Sequence, residues 1–263
     1  MYVEKENSNQ DQTETVPGGR PEAREHPVHS QGSRVRCWCV SALWAKTMKI
    51  HCLSDFHDRC SELPPTPPCD VLVIAGDITT AGYYERLAEF LTWTINQPAA
   101  HVVFVAGNHE LGLDGGDLRK VDWFRVWCET HGVHWLCDQG AVIEGVRFYG
   151  SSWTLGSTKW AFAMQRDSLQ ARTARAQIPE CDVLITHNPP HGVLDLCGDK
   201  HQGCKYLARR VLEIKPKLHV FGHLHQEGGK SARVGETIYV NAAALNDDYE
   251  FHQNVGVTVD IPS

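Results

Sequence analysis

At 263 residues, 42% of them hydrophobic, the chain is long enough for one large domain with a substantial core, and it needs no staples to fold. Its net charge is −7 and no basic run exceeds two residues, which excludes a wide phosphate-backbone footprint; an acidic or phosphorylated substrate would need local positive charge, and a metal ion is the obvious source. Ten cysteines without a Cys-x-x-Cys pair are too dilute for a disulfide-dense secreted scaffold, and Cys52, Cys69 and Cys181, beside apolar runs, read as reduced, buried small hydrophobes.

Residues 1–33 carry Glu, Gln, Ser, Pro and Gly with almost no aliphatic content, a composition that cannot offset its ordering entropy and predicts a disordered tail. Residues 34–47, with Trp38, Val40, Leu43 and Trp44, form a lead-in that fits either an extra edge strand or a short amphipathic piece. The start of the chain lacks the apolar region of a signal peptide, and the patch from Cys37 to Ala45 falls far short of the ~20 residues of a membrane span. A cytoplasmic protein without a membrane partner is expected.

The main domain is expected over residues 48–263. Met48 to Ser54 opens it as a strand, and Val71 to Ala75, bounded by Pro67-Pro68 and Gly76-Asp77, reads as a strand buried on both faces. Tyr84, Leu87, Ala88, Leu91 and Ile95 recur at helical spacing up to Asn96, with Pro98 as the stop. A strand over 101–106 follows, then a helix from Asp117 to Glu129 with Leu118, Val121, Phe124 and Val126 on or near its inner face. Short strands are expected over 133–136, 141–144 and 146–149, the last two joined through Gly145. The pattern then predicts a helix over 160–176, a buried strand over 182–186, a helix from Gln202 to Ile214 stopped by Pro216, and strands over 218–221, 237–241 and 255–259. Trp123, Trp127 and Trp135 are core candidates. Buried parallel-type strands and hairpin-type strands both occur, so the fold class is α/β, with two mixed sheets packed as a sandwich between flanking helices.

Polar residues gather immediately after the C-terminal ends of the apolar strands, where open α/β sheets bind ligands. Five such clusters are Ser54-Asp55-Phe56-His57, Ala75-Gly76-Asp77, Gly107-Asn108-His109-Glu110, Thr186-His187 and Phe221-Gly222-His223-Leu224-His225. Aspartate, asparagine and histidine make a hard-to-borderline ligand set that suits Mn, Fe, Zn or Mg. Asp55 and His57 are two positions apart, as are His223 and His225, so each pair can project to one side of an extended strand exit. A single Asp-x-His is an ordinary polar strand end, whereas five clusters at successive strand ends point to one site.

In order, Asp-x-His, Gly-Asp, Gly-Asn-His-Glu, a strand-end His and Gly-His-x-His resemble the calcineurin-like metallophosphoesterases, and the resemblance covers residues 48–259. Finer stretches are similar to the branch of metallophosphoesterase domain-containing proteins: Tyr149-Gly150-Ser151-Ser152-Trp153, Trp160-Ala161-Phe162, Thr186-His187-Asn188-Pro189-Pro190 and Pro216 to His223. The resemblance implies a four-layer fold and two divalent ions, Mn or Fe, alternatively Mg or Zn. It gives one ion Asp55, His57 and His225, the other Asn108, His187 and His223, with Asp77 as the bridge. His109 would then stand beside the ions and contact phosphoryl oxygens or assist the leaving group. Some relatives of that branch carry glycine at the first histidine of the last block; His223 is present here, which weighs against a non-catalytic scaffold.

The implied activity is hydrolysis of small phosphodiesters, cyclic nucleotides among them, by in-line attack of a hydroxide shared between the ions. Phosphomonoester or nucleotide pyrophosphate hydrolysis is the alternative, because loops around the two-metal core decide between them. Extended nucleic acid is not an expected partner. Asn188, His191 and Trp153 are candidate substrate contacts, Trp153 forming with Trp160 and Phe162 either core or a wall for a base. Glu110 is read as orienting a ligand histidine, His51, His101 and His219 as core or surface histidines, and Arg209-Arg210 as solvated.

Overall fold

In the computed structural model, which describes residues 46–263, the chain runs through β1 (Thr47–Leu53), β2 (Cys69–Ile74), α1 (Tyr84–Thr94), β3 (Ala99–Phe104), α2 (Leu118–Thr130), β4 (Val133–Trp135), β5 (Gln139–Ile143), β6 (Val146–Ser151), β7 (Thr154–Leu155) and β8 (Ala163–Met164). It continues with α3 (Leu169–Ala176), β9 (Val183–Thr186), β10 (Leu196–Cys197), β11 (Lys200–His201), α4 (Lys205–Ile214), β12 (Leu218–Phe221), β13 (Lys230–Val234), β14 (Thr237–Asn241) and β15 (Val257–Pro262). The expected tail and all but the last two residues of the lead-in lie outside the described residues.

Two mixed sheets carry the architecture. One has the order β15-β1-β2-β3-β4, with parallel pairs from β1 to β4 and β15 antiparallel at the edge; the other has the order β13-β14-β12-β9-β6-β5, parallel in the middle and antiparallel at both edges. The two-residue side-chain alternation of strands then makes four layers. Val71 and Val73 of β2, Val103 of β3, Val183 and Ile185 of β9, and Val220 of β12 bury themselves between the sheets. Their alternates face outward: Leu72, Ile74 and Phe104 against Leu87, Phe90 and Leu91 of α1 and Phe124 of α2, and Leu184 and Phe221 against Ala171 of α3 and Leu207 of α4. Strands covered on both faces favour apolar residues at every position, which is why their sequences are largely apolar, the buried His219 of β12 being paired with Thr186 Oγ1 at 2.9 Å. The fold class is therefore the expected one.

Three local expectations are corrected. The helix expected over 160–176 is only α3: Phe162 and Asp167 take left-handed backbone (φ 52° and 61°), Ala163–Met164 pairs with Thr154–Leu155 instead, and Ser168 starts the helix by accepting from the Ala171 amide at 3.1 Å. On α2, Val121, Phe124 and Cys128 form the buried stripe at helical spacing; Leu118, Trp123 and Val126 lie off it and are exposed. Arg210 is not simply solvated, because its guanidinium donates twice to the Ile178 carbonyl, at 2.6 and 2.8 Å.

Candidate metal centre

The parallel strands of both sheets end at the same edge, and that edge is the site. β1 delivers Asp55 and His57, β2 delivers Asp77, β3 delivers Asn108 and His109, β9 delivers His187, and β12 delivers His223 and His225. The exits are laced together: the Asp55 amide donates to Gly76 O at 3.0 Å, His57 N to Asp77 O at 3.2 Å, and Gly222 N to His187 O at 3.1 Å. Asp55, His57, Asp77 and His223 all sit at positive φ (52°, 41°, 50° and 70°), a backbone strain of roughly 1–3 kcal/mol per residue that persists where surrounding contacts enforce it. Gly222 is required by close approach, since a Cβ there would overlap Asp55 Oδ2 and Ser54 Oγ.

Donor atoms converge in three overlapping groups, Asp55–His57–His225, Asp77–His187–His223 and His57–Asp77–His109, each with its atoms within 4.8 Å of one another. His187 Nε2 lies 3.2 Å from Asp77 Oδ2 and 3.1 Å from Asn108 Oδ1, and His225 Nε2 lies 3.5 Å from Asp55 Oδ1. Both oxygens of Asp55 accept from the His223 amide at 3.0 Å, and Asp77 Oδ1 accepts from the His109 amide at 2.9 Å. Backbone carbonyls set the tautomers. His187 Nδ1 faces Ala75 O at 2.7 Å and His225 Nδ1 faces Asn246 O at 3.0 Å; a carbonyl can only accept, so each Nδ1 carries a proton and each Nε2 is the ligand atom aimed inward. His57 has both ring nitrogens buried without a hydrogen-bond partner. An orphaned buried imidazole among two carboxylates and further histidines fits divalent cations, and the seven residues Asp55, His57, Asp77, Asn108, His187, His223 and His225 are the set that would hold them.

Charge inside the cluster follows burial and mutual contact. Burial alone would lower His187, yet Asp77 beside it raises its pKa to about 10; Asp55 likewise overrides burial and raises His225 to about 8. Burial and the charge of His187 push His223 down to about 4. Asp77 stays far below the ordinary carboxylate range although burial opposes it, because His187, His57 and His109 surround it.

The other site candidates separate. His109 is half-buried, its Nδ1 2.6 Å from Thr80 O and its Nε2 3.9 Å from Asp77 Oδ2, so the inward nitrogen faces the cluster. Glu110 does not orient a histidine: its carboxylate accepts from the amides of Asp77 (3.0 Å), Thr79 (2.9 Å) and Gly107 (2.6 Å), and from Thr79 Oγ1, holding the β2 and β3 exits together. Asn188 is buried and accepts from the Leu155 amide, an internal loop staple rather than a pocket group. Trp153 is half-buried, donates from Nε1 to Asp138, and has its carbonyl held by the buried Arg175; it lines a different cavity. His191 packs near His201 (ring centroids 5.4 Å apart), outside the residues that line the pocket. Of the expected aromatic cluster, Phe162 is core, while Trp160 is exposed with its ring 4.6 Å from that of His109.

A cavity of about 420 Å³ opens over Asp77, Asn108, His109, His223 and His225. Leu196, Cys197, Leu224, Gln226, Asp247 and Tyr249 complete its wall, so among the described residues no lysine or arginine lines it. Apart from Leu224, which stands inside the fifth cluster, none of these six is marked in the sequence. They lie in short segments without the periodicity of a buried strand or helix.

Comparison with known proteins agrees with this geometry. The family model for calcineurin-like phosphoesterases matches residues 48–227. A UPF0046 protein of Caenorhabditis elegans is 35% identical over 210 residues, which cover 76% of this chain and 70% of that protein. Metallophosphoesterase domain-containing protein 1 of Homo sapiens is 34% identical over 233 residues, covering 81% and 70% respectively. Among solved structures, the phosphopantetheinyl hydrolase of Mycobacterium tuberculosis aligns with a TM-score of 0.57 at 15% identity over 82% of this chain and 96% of that one, a likeness of fold.

Proposed function

This chain belongs to the calcineurin-like phosphoesterase family, and from that premise we propose that it hydrolyses small phosphodiesters, cyclic nucleotides among them, with two divalent ions, manganese or iron first and magnesium or zinc as alternatives. When bound, such ions supply charge for the phosphoryl oxygens and acidify a water for attack. Asp55, His57 and His225 would hold one, Asn108, His187 and His223 the other, and Asp77 both. His109, fixed through Nδ1 by the Thr80 carbonyl, turns Nε2 toward the cluster and from that nitrogen would contact the phosphoryl oxygens or assist the leaving oxygen.

The choice of diester over monoester rests on the pocket wall. No lysine or arginine lines it among the described residues, and Asp247 contributes a carboxylate, so the second charge of a phosphomonoester finds no such partner beyond the ions. Turnover of bis(4-nitrophenyl) phosphate and 4-nitrophenyl phosphate by Mn²⁺-loaded protein, with Asn108→Ala as control, tests this. The diester should show the higher kcat/KM, and Asn108→Ala should lose most of it; a preference for the monoester would overturn the reading. The same proposal places the chain in the cytoplasm, supported by free cysteines at eight described positions, as a reducing compartment would keep them.

A further inference from the structure

Tyr249 is built into the metal pocket in a way its sequence position does not announce. The residue stands at φ 60°, in left-handed backbone that is an outlier for a bulky side chain. Two contacts hold it there: its amide donates to Asn246 O at 3.0 Å, and its carbonyl accepts from Arg59 Nη1 at 2.6 Å. The loop is wired further, because Asn246 Oδ1 accepts from the amides of Asp248 and Glu250, each at 2.9 Å, and the Asn246 carbonyl is the one that orients His225. Thus one loop both fixes a ligand histidine and presents an aromatic ring. That ring meets His57 edge-on at 5.2 Å between centroids and His225 at 5.6 Å, yet 48% of the residue remains exposed at the pocket wall.

An aromatic ring on a fixed backbone, beside the candidate metal ligands and on a residue 48% exposed, is suited to pack against a flat group carried by the bound ester. We propose that Tyr249 is a specificity-determining residue that contacts the non-reacting arm of the substrate and favours phosphoesters with a planar aromatic arm over those with a small alkyl arm. The inference rests on the phosphoesterase reading of the same site. Its test is binding, so that the two can fail separately.

The probes are the monomethyl esters of phenylphosphonic and methylphosphonic acid, monoanions that differ by one ring, titrated calorimetrically into Mn²⁺-loaded protein. Wild type should bind the phenyl ester about tenfold more tightly. In Tyr249→Ala the gap should close through loss of phenyl-ester affinity, with metal content retained, whereas Tyr249→Phe should keep most of it. A gap unchanged in Tyr249→Ala, or equal loss of both probes together with metal, would overturn the proposal; the second result would make Tyr249 a prop for His57 and His225. If the gap follows Tyr249 while no phosphodiester is turned over, the specificity assignment stands and the reaction assigned to the site is wrong. If diesters are hydrolysed and the gap ignores Tyr249, only the assignment falls.

Discussion

At Asp77 one carboxylate faces three imidazoles, with Oδ2 3.2 Å from His187, 3.9 Å from His57 and 3.9 Å from His109. The three rings do not have equivalent jobs. If Asp77 serves both cation positions as proposed, replacing it with Ala should cost both ions in metal analysis, and turnover should fall severely. Replacing His109 with Ala should leave metal content intact and lower kcat and kcat/KM together by about 10²–10⁴-fold, with a smaller penalty for nitrophenyl leaving groups that need little protonation. Loss of an ion in the His109 variant would instead make His109 a ligand. Proton linkage adds a check on the cation-free state. His187, at about 10, and His225, at about 8, are held protonated at pH 7 by Asp77 and Asp55, and a cation must take their Nε2 lone pairs. Loading at pH 7 should therefore release protons and tighten as pH rises, more shallowly above pH 8, where His225 loses its proton unaided, and levelling only above about pH 10, where His187 does the same. Calorimetry in buffers of different ionisation enthalpy reads the number released.

Between elements, Glu110 is a fully buried joint. It takes four hydrogen bonds from the exits of β2 and β3, in full burial, and burial together with Asp77 raises its pKa to about 7. Glu110→Gln cannot replace it, because an amide NH2 would have to face backbone N–H donors. Leaving such a buried group unpaired costs about 1–3 kcal/mol. Chemical denaturation of the cation-free protein should show that loss, and cation affinity should weaken with it, since the Asp77 amide is one of the donors released. Unchanged stability would mean that the two exits are held by the Gly76 and Gly107 backbone alone.

For the whole molecule, the centre bridges the seam between the sheets. Asp55, Asp77 and Asn108 leave one sheet, His187, His223 and His225 the other, and the residues Ser54 and Ala243 at their meeting point form a parallel bridge. Each cation bound only by the folded arrangement stabilises it by mass action, about 2.7 kcal/mol per ion at a free concentration of 100 Kd. For a domain of this size that corresponds to a rise in Tm of about 5–10 °C per ion. Scanning calorimetry with Mn²⁺ and with chelator should show the difference, and Asp77→Ala should abolish it; an equal rise in Asp77→Ala would locate the binding elsewhere.

What the sequence determined by itself was local in origin. Apolar runs such as Val71 to Ala75 declare a doubly covered strand, and the polar residue at the end of each run declares where the strand leaves the core, so the two-sheet sandwich and its five-cluster edge were legible without coordinates. Tertiary structure decided what depends on partners distant in sequence. The carbonyls of Ala75 and Asn246 fix the tautomers of His187 and His225, 112 and 21 residues apart in sequence, and a carbonyl oxygen is present at every position and so leaves no mark. Glu110 was misread as a histidine partner because its four donors are main-chain and hydroxyl groups that meet it only once β2 and β3 lie side by side. The left-handed turns at Phe162 and Asp167 shortened an expected helix because burying Ala161, Phe162 and Met164 outweighs helical propensity there. Tyr249 became part of the pocket through Arg59, 190 residues away, and only packing brings those two groups together.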